Sequence, residues 1–515
     1  MKKMAWGFEA LSILLTLVLL GSLQHAVADP RPDFAIKATI TGTARVITLS
    51  NQLSATFDRV DNTNIPLTAG YSLLENMQNA LVQIGTKVTT AGMAISTALN
   101  ALAANSSNNV TEFFQAVTTA INTFSTLLQS GLTEHLTVLQ QQGNYITDKF
   151  TDGFNEIKPR LAALSGALDR LKAGVTAARD APGNTATAVS TTNLRKHVTP
   201  KMVQDVQDAL TLLNADIPLI QFIVESTQKR LALADVFVAD MAQEAQDNAA
   251  LVATEYANLK TEVTSIGESV GNAFVDLVTP VYDAQLAAIG EVQTTIESLS
   301  SYPIDLQPAL NSLALLMDAN AIATLSTSIE GVFTAYNTAL DGSIASASSI
   351  EDFFVDEACE ALQQLVVALA ASGNYAQYCF TKYASKVYNQ FALAYYLISD
   401  CYENEKVRLH RLQDLTALIV DMIIYDIEDL GEAITSCAPL NDGASCLTLI
   451  GPFYEILATT IDDKQGYLLD YITDETEHSQ QRLSACVKVT RYTMVSELVP
   501  ISINLGTCTV TGYAA

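Results

Sequence analysis

The chain has 515 residues and a formal net charge of −27, with 28 Lys and Arg against 55 Asp and Glu. That balance argues against nucleic acid and anionic membrane surfaces as partners, since both would be repelled. Apolar residues make up 49% and charged residues only 16%, which argues against disorder and leaves material for two or three domains.

The N-terminus reads as a secretory signal over residues 1–28. Lys2 and Lys3 form the charged start, Leu11–Leu20 the apolar segment, and Ala26-Val27-Ala28 a small-x-small cleavage site. The apolar run is too short to span a bilayer comfortably. Cleavage removes Lys2, Lys3 and Glu9, leaving 26 basic and 54 acidic residues, or −28. It also removes Trp6, the only tryptophan, so a cleaved chain should lack tryptophan fluorescence.

Residues 29–66 form an N-terminal lead-in. Ala38-Thr39-Ile40 and Val46-Ile47-Thr48-Leu49 have β-branched strand character around Gly42, so a short hairpin or an extended segment is expected. From Leu67 helical spacing takes over. Leu73, Met77, Leu81 and Ile84 recur at four and three in a helix running towards Ala104. After the polar turn Asn105–Asn109, a second run starts near Thr111 and reaches about Ala178, with breaks expected at Gly143 or Gly153. Residues 67–180 thus read as a helical hairpin region. The stretch 181–200, bracketed by Pro182 and Pro200 and rich in Thr, reads as a linker. A second helical region, 201–350, starts with Val203, Val206, Leu210 and Leu213, with breaks or kinks expected at Pro218 and Pro280.

All seven cysteines lie in the final segment, 351–515. Cys379 and Cys401 are 22 residues apart, as are Cys486 and Cys508. On an α-helix this spacing overshoots six full turns by only about 40° and covers roughly 33 Å. Two antiparallel helices bearing such pairs are therefore expected to be stapled by Cys379–Cys508 and Cys401–Cys486, with Cys437 and Cys446 closing the loop between them. Sequence alone leaves other connectivities open. Cys359 is left over, either free or paired with a second chain. Phe380, Val387, Phe391, Ala394, Ile398 and Cys401 trace a helical seam, continued by Leu409, Leu412, Leu415, Ile419, Met422 and Ile423. The return helix carries Ile450, Phe453, Leu457, Ile461, Leu468 and Ile472, then Leu483, Met494 and Leu498. Pro500 is expected to kink or end it.

This last quarter resembles the tsetse EP-like domain family of insect secreted proteins. The features that carry the resemblance are Tyr378-Cys379-Phe380, Asp400-Cys401-Tyr402, Ser436-Cys437, Cys446, Ala485-Cys486 and Gly506-Thr507-Cys508. The resemblance implies an extracellular protein of a largely uncharacterised family, whose founding member is linked to the insect gut and immune challenge, and it supplies no catalytic residues.

Candidate sites are few. Gly267-Glu268-Ser269-Val270-Gly271 matches a nucleophile elbow, which needs a preceding strand and a nearby histidine. Its Ala- and Thr-rich flanks read as helix. His135, His197, His410 and His478 show no metal-binding spacing, and no cofactor is expected. Asp462-Asp463 and Asp474-Glu475-Glu477 read as solvated helix faces rather than calcium ligands. Asn105-Ser106-Ser107 and Asn109-Val110-Thr111 are glycosylation sequons. Between residues 88 and 133 the only charge is Glu112, so the arms Val88–Ala104 and Phe113–Thr133 form an uncharged hairpin.

The expected fold is all-α: a long antiparallel helical bundle or coiled-coil-like body ending in a disulfide-braced helical hairpin. The expected function is that of a secreted, non-enzymatic structural or interaction protein with a protein partner or self-association. Alternatives are a carrier of an apolar ligand, a membrane-active toxin or immune effector inserting hairpin 88–133, and an esterase using Ser269.

Overall fold

The computed structural model describes residues 34–61, 64–185, 188–296, 302–304, 306–345 and 348–512. The signal sequence, its cleavage site and Trp6 lie outside the described residues. Among the described residues the protein is all-α, with long helices packed on one another and three disulfides in the C-terminal region. The chain divides into two compact units. The first comprises residues up to Ala239 with Val366–Phe380 and the segment from Cys508; the second comprises Asp240–Leu365 and Thr381–Thr507.

The first unit opens with α1 (Thr43–Asp61), where a short hairpin or extended lead-in was expected. Val46, Leu49, Leu53, Phe57 and Val60 are all buried. Their steps of three and four outweigh the β-branched composition of Val46–Leu49, because burial of a whole helix face exceeds a weak local preference. Helix α1 packs on α2 (Ser72–Ala104) along small residues. Gly85 and Gly92 let the backbones approach. A Cβ on Gly92 would stand 2.3 Å from the Phe57 ring. Between and beyond them Thr89 donates to the Phe57 carbonyl at 2.8 Å, and Ser50 to that of Ser96 at 2.9 Å. Helix α3 (Val110–Thr126) then packs on α2, with Phe124 edge-on to Phe57 at 5.3 Å between centroids.

A π-helical turn, Leu127–Gly131, leads into α4 (Thr133–Gln140), which is followed by a turn at Gly143 with φ +130°. Gly153, the other expected break, instead lies inside α5 (Tyr145–Asp180), buried against Ile220. The 181–200 stretch is in part helical. It contains α6 (Thr191–His197), capped by Ser190, and joins α5 to α7 (Pro200–Ala273) within the first unit. Arg160 pairs with Asp216 at 2.8 Å between α5 and α7. Asp235, buried on α7, accepts from Thr68 N and Oγ1 at 2.6 and 3.0 Å and from Ala69 N at 3.0 Å, which pins the strap ahead of α2.

The second unit takes the rest of α7, a π-helical turn Phe274–Val278, α8 (Thr279–Thr295), α9 (Leu306–Met317) and α10 (Ala319–Ser343). Short α11 (Ile350–Phe353) precedes another π-helical turn and α12 (Cys359–Ala370). Two long helices, α13 (Ala376–Thr435) and α14 (Gly443–Thr511), contribute all but Ala376–Phe380 and the segment from Cys508, which belong to the first unit. Most of the cysteine region, Thr381–Thr507, shares a unit with residues 240–365.

The prolines interrupt less than expected. Pro218 lies inside α7, and Pro452 and Pro500 lie inside α14. Leu498, Ile501 and Leu505 around Pro500 are buried, so packing on both sides offsets the lost hydrogen bond and ring clash, a local cost of about 3 kcal/mol. Pro280 follows the π-helical turn and sits in the first turn of α8, where its missing N–H costs little.

Candidate interaction surface

The disulfides set the register of α13 against α14. Cys401 joins Cys486 and Cys437 joins Cys446, with Cα separations of 5.9 and 5.6 Å, and in the first unit Cys379 joins Cys508 at 5.8 Å. This is the pairing that the two 22-residue spacings predict. Cys359 is free and exposed.

Between the bridges the two helices share a buried charge. Glu405 on α13 is only 2% exposed. Arg482 of α14 donates to it with Nη2 to Oε1 at 2.6 Å and Nε to Oε2 at 3.3 Å, and also reaches Glu475 at 2.7 Å. Arg408 adds a second cation at 3.2 Å. The Glu405 carboxylate holds the Arg482 guanidinium above its ordinary value. A buried carboxylate so paired fixes register, because any slip strands a charge in the core. Next to it the Tyr336 hydroxyl meets Ser479, and burial raises the Tyr336 phenol. Tyr402 is pushed up to about 12 by burial, so it stays neutral. Nearer the hairpin loop, Gln285 Nε2 donates to the Tyr454 hydroxyl at 2.8 Å, which donates to the Leu430 carbonyl at 2.9 Å.

The inner seam differs in part from the one expected. Leu409, Leu412, Leu457, Ile461, Leu468 and Ile472 are buried. Leu415, Met422 and Phe453 are not; Thr416, Val420 and Tyr454 occupy the core in their place. The displaced residues belong to a second apolar stripe. On α13 it comprises Leu415, Leu418, Met422 and Tyr425, and on α14 Leu449, Phe453, Ile456, Tyr467 and Tyr471, all exposed. Leu449 is 74% exposed and Tyr467 70%. At 100° per residue each stripe falls within an arc of about 80°, roughly 140° from the core direction. By length and composition alone, stretches of Pro200–Thr295, Leu306–Ser343 and Gly443–Thr511 are apolar enough to cross a bilayer, and no more than 33% of each such window is buried.

The other candidates fall elsewhere. The Gly267–Gly271 motif lies inside α7, with no strand before it. Its glycines serve packing, since a Cβ on Gly267 would meet the Phe333 ring at 2.9 Å and one on Gly271 the Ser326 hydroxyl at 2.8 Å. Ser269 Oγ accepts from Gln413 Nε2 at 2.7 Å, and Gln413 in turn contacts His410, which bonds Glu262 at 2.8 Å. Gln413 thus stands between hydroxyl and imidazole, whereas activation needs them in direct contact. Among the described residues no three His, Cys, Asp or Glu side chains gather in a metal-binding cluster. Asn105 is half-buried, its Oδ1 taking Ser107 N and Oγ at 2.7 and 2.6 Å. Asn109 is exposed at the start of α3, with Nδ2 on Glu112. The uncharged arms 88–133 are packed in the first unit, burying Val88, Ile95, Leu99, Val117 and Ile121.

The first unit also holds an open groove of about 640 Å³ between α5 and α7. Leu219, Phe222 and Ile223 line it with Tyr145; Lys149, Asp152, Glu156 and Arg230 are its charged groups, Lys149 pairs with Asp152, and Arg230 donates to the Ser372 carbonyl. No protein-family model matches the chain, and a search of curated proteins returns no match.

Proposed function

We propose that the chain is a secreted, non-enzymatic interaction protein whose docking face is the outer side of the α13–α14 hairpin. The exposed second stripe carries this reading. A soluble monomer rarely leaves a contiguous apolar patch larger than a few hundred Å² uncovered, and such patches mark binding surfaces. Three disulfides suit an oxidising compartment and hold the two helices in register while that face stays open. The leader over residues 1–28, the exposed sequon at Asn109 and the cysteine order resembling tsetse EP-like secreted proteins support the same compartment.

Expression of the full chain in secretory cells tests it. The protein should enter the medium cleaved after Ala28, with three disulfides, one free thiol at Cys359 and a glycan on Asn109 that Asn109→Gln removes. Retention inside the cell with reduced thiols contradicts the reading.

The groove between α5 and α7 favours a second reading, a carrier of an apolar ligand, which would lie on Leu219, Phe222 and Ile223. Its volume suits a small apolar molecule. A fluorescent apolar probe should bind the purified protein and be lost on Phe222→Ser; equal binding by both proteins contradicts it.

A further inference from the structure

We propose that the outer face of the α13–α14 hairpin binds a cationic amphipathic helix, whose apolar side covers the exposed stripes and whose Lys and Arg side chains meet carboxylates along their edges. The proposal rests on the interaction-protein reading and names its partner class.

The first observation is geometric. The Cys401–Cys486 and Cys437–Cys446 bridges set Leu415 and Leu418 level with Tyr471 and Tyr467, and Tyr425 about one turn from Ile456. Lys464 on Asp426 and the Tyr454 hydroxyl on the Leu430 carbonyl hold the same register. On each helix the exposed stripe lies just beyond the side that faces the other helix, so both stripes border one outer groove. From the exposures of the nine side chains, and roughly 200 Å² for a fully exposed large residue, the groove offers on the order of 1,000 Å². A standard protein interface needs about 800 Å² per partner.

The second observation is charge. Between residues 412 and 481 Asp and Glu outnumber Lys and Arg fourteen to one. The single cation, Lys464, is already paired with Asp426. Helical spacing puts Asp414, Asp421 and Glu432 within about 60° of the outer edge of the α13 stripe. Asp463, Asp470 and Asp474 lie in or beside the α14 stripe, and all six are exposed. The groove is therefore apolar along its floor and acidic along both rims.

That combination selects among occupants. A second copy would set acidic rim against acidic rim, which opposes association. An anionic bilayer is repelled for the same reason. A neutral apolar partner would bury rim carboxylates without compensation. A helix with one apolar face and a basic remainder covers the floor and neutralises the rims together, in the helix-in-groove mode. From Leu415 to the loop the groove runs about 33 Å, which a helix of about 20 residues fills.

The test uses the full disulfide-bonded chain and a labelled amphipathic peptide of about 20 residues with a Leu face and a Lys face. Comparison peptides carry Glu in place of Lys, or the same Lys composition scrambled to abolish the apolar face. The Lys helix should bind at micromolar concentration or tighter and weaken at least about tenfold between about 50 and about 500 mM salt. The Glu helix and the scrambled peptide should bind at least about tenfold more weakly. Leu418→Gln with Phe453→Gln, both at exposed positions and so compatible with the fold, should cost about tenfold or more. Asp421→Asn with Asp470→Asn should flatten the salt dependence. Equal binding of the scrambled peptide, or no effect of the Leu418 and Phe453 changes, overturns the proposal. Concentration-dependent dimerisation or zwitterionic-vesicle binding, abolished by those two changes and unaccompanied by peptide binding, overturns the partner class and leaves the docking face standing. Absence of peptide, self- and vesicle binding overturns both.

Discussion

Two helical hairpins in this protein invert what their charge suggests. The α2–α3 hairpin carries a single charge between residues 88 and 133, yet it is the closed one. Among the described residues before Leu212, no large apolar side chain is exposed. The α13–α14 hairpin is strongly acidic, yet the nine large apolar side chains of its outer stripes stand in water. The lack of charge in the first hairpin reflects close packing, with Gly85, Thr89, Gly92 and Ser96 against α1. In the second hairpin the charge opposes association through the open apolar face, and the covalent bridges hold a shape that this face does not stabilise.

The largest expected effect bears on those bridges. Cys401→Ser with Cys486→Ser opens a closure of 85 residues and should cost about 4 kcal/mol, read as a drop in the urea midpoint. Removing Cys437–Cys446, with a separation of 9, should cost about 2–3 kcal/mol by the same loop argument. Equal losses would mean that local packing near the bridges, rather than chain closure, sets their contribution. Glu405→Gln takes the buried carboxylate from Arg482, which keeps only Glu475, and should destabilise the second unit by about 1–3 kcal/mol.

A smaller effect separates the hairpins directly. Gly92→Ala places a methyl against the Phe57 ring and should cost about 1–3 kcal/mol. Gly466→Ala, on exposed α14 with nothing near its Cβ, should instead stabilise by up to about 1 kcal/mol. Thermal unfolding of the two variants checks the opposite signs; a neutral Gly92→Ala would show that α1 and α2 are not in close contact.

The smallest effect is one of pH. The His135 imidazole on α4 is held below its ordinary value, first by burial and then by Lys87. A depressed histidine favours the neutral form in the fold. Above about pH 6.5 it costs nothing, and as pH falls from there through the folded value the unfolded chain takes up a proton that the fold resists. Stability should therefore fall over that window, and His135→Gln should flatten the fall; an unchanged pH profile would place the imidazole in water.

The all-helical class and the bridge pairing were legible because both are periodic. Twenty-two residues return a helix to nearly the same face, and that spacing holds whatever lies between. The inner seam was only half legible. Two apolar stripes share α13 and α14, and spacing alone does not say which arc faces the core, so Leu415, Met422 and Phe453 were expected inside. The buried acids were missed because a carboxylate reads as solvent-facing. Glu405 nonetheless left a trace: it occupies the seam position between Cys401 and Leu409, four residues from each. The short hairpin expected near residue 40 failed because Val46–Leu49 was weighed by composition alone, without Leu53 and Phe57 one and two turns on.

Hydroxyl-radical footprinting of the free, disulfide-bonded protein tests the central contrast most directly. Met422, Tyr425, Phe453 and Tyr467 should be modified rapidly, while Met77, Phe57, Phe114 and Phe124 remain protected until the chain unfolds. Protection of the α13–α14 set in the free protein, or ready modification of the α1–α3 set, would contradict the account of one closed hairpin and one open one.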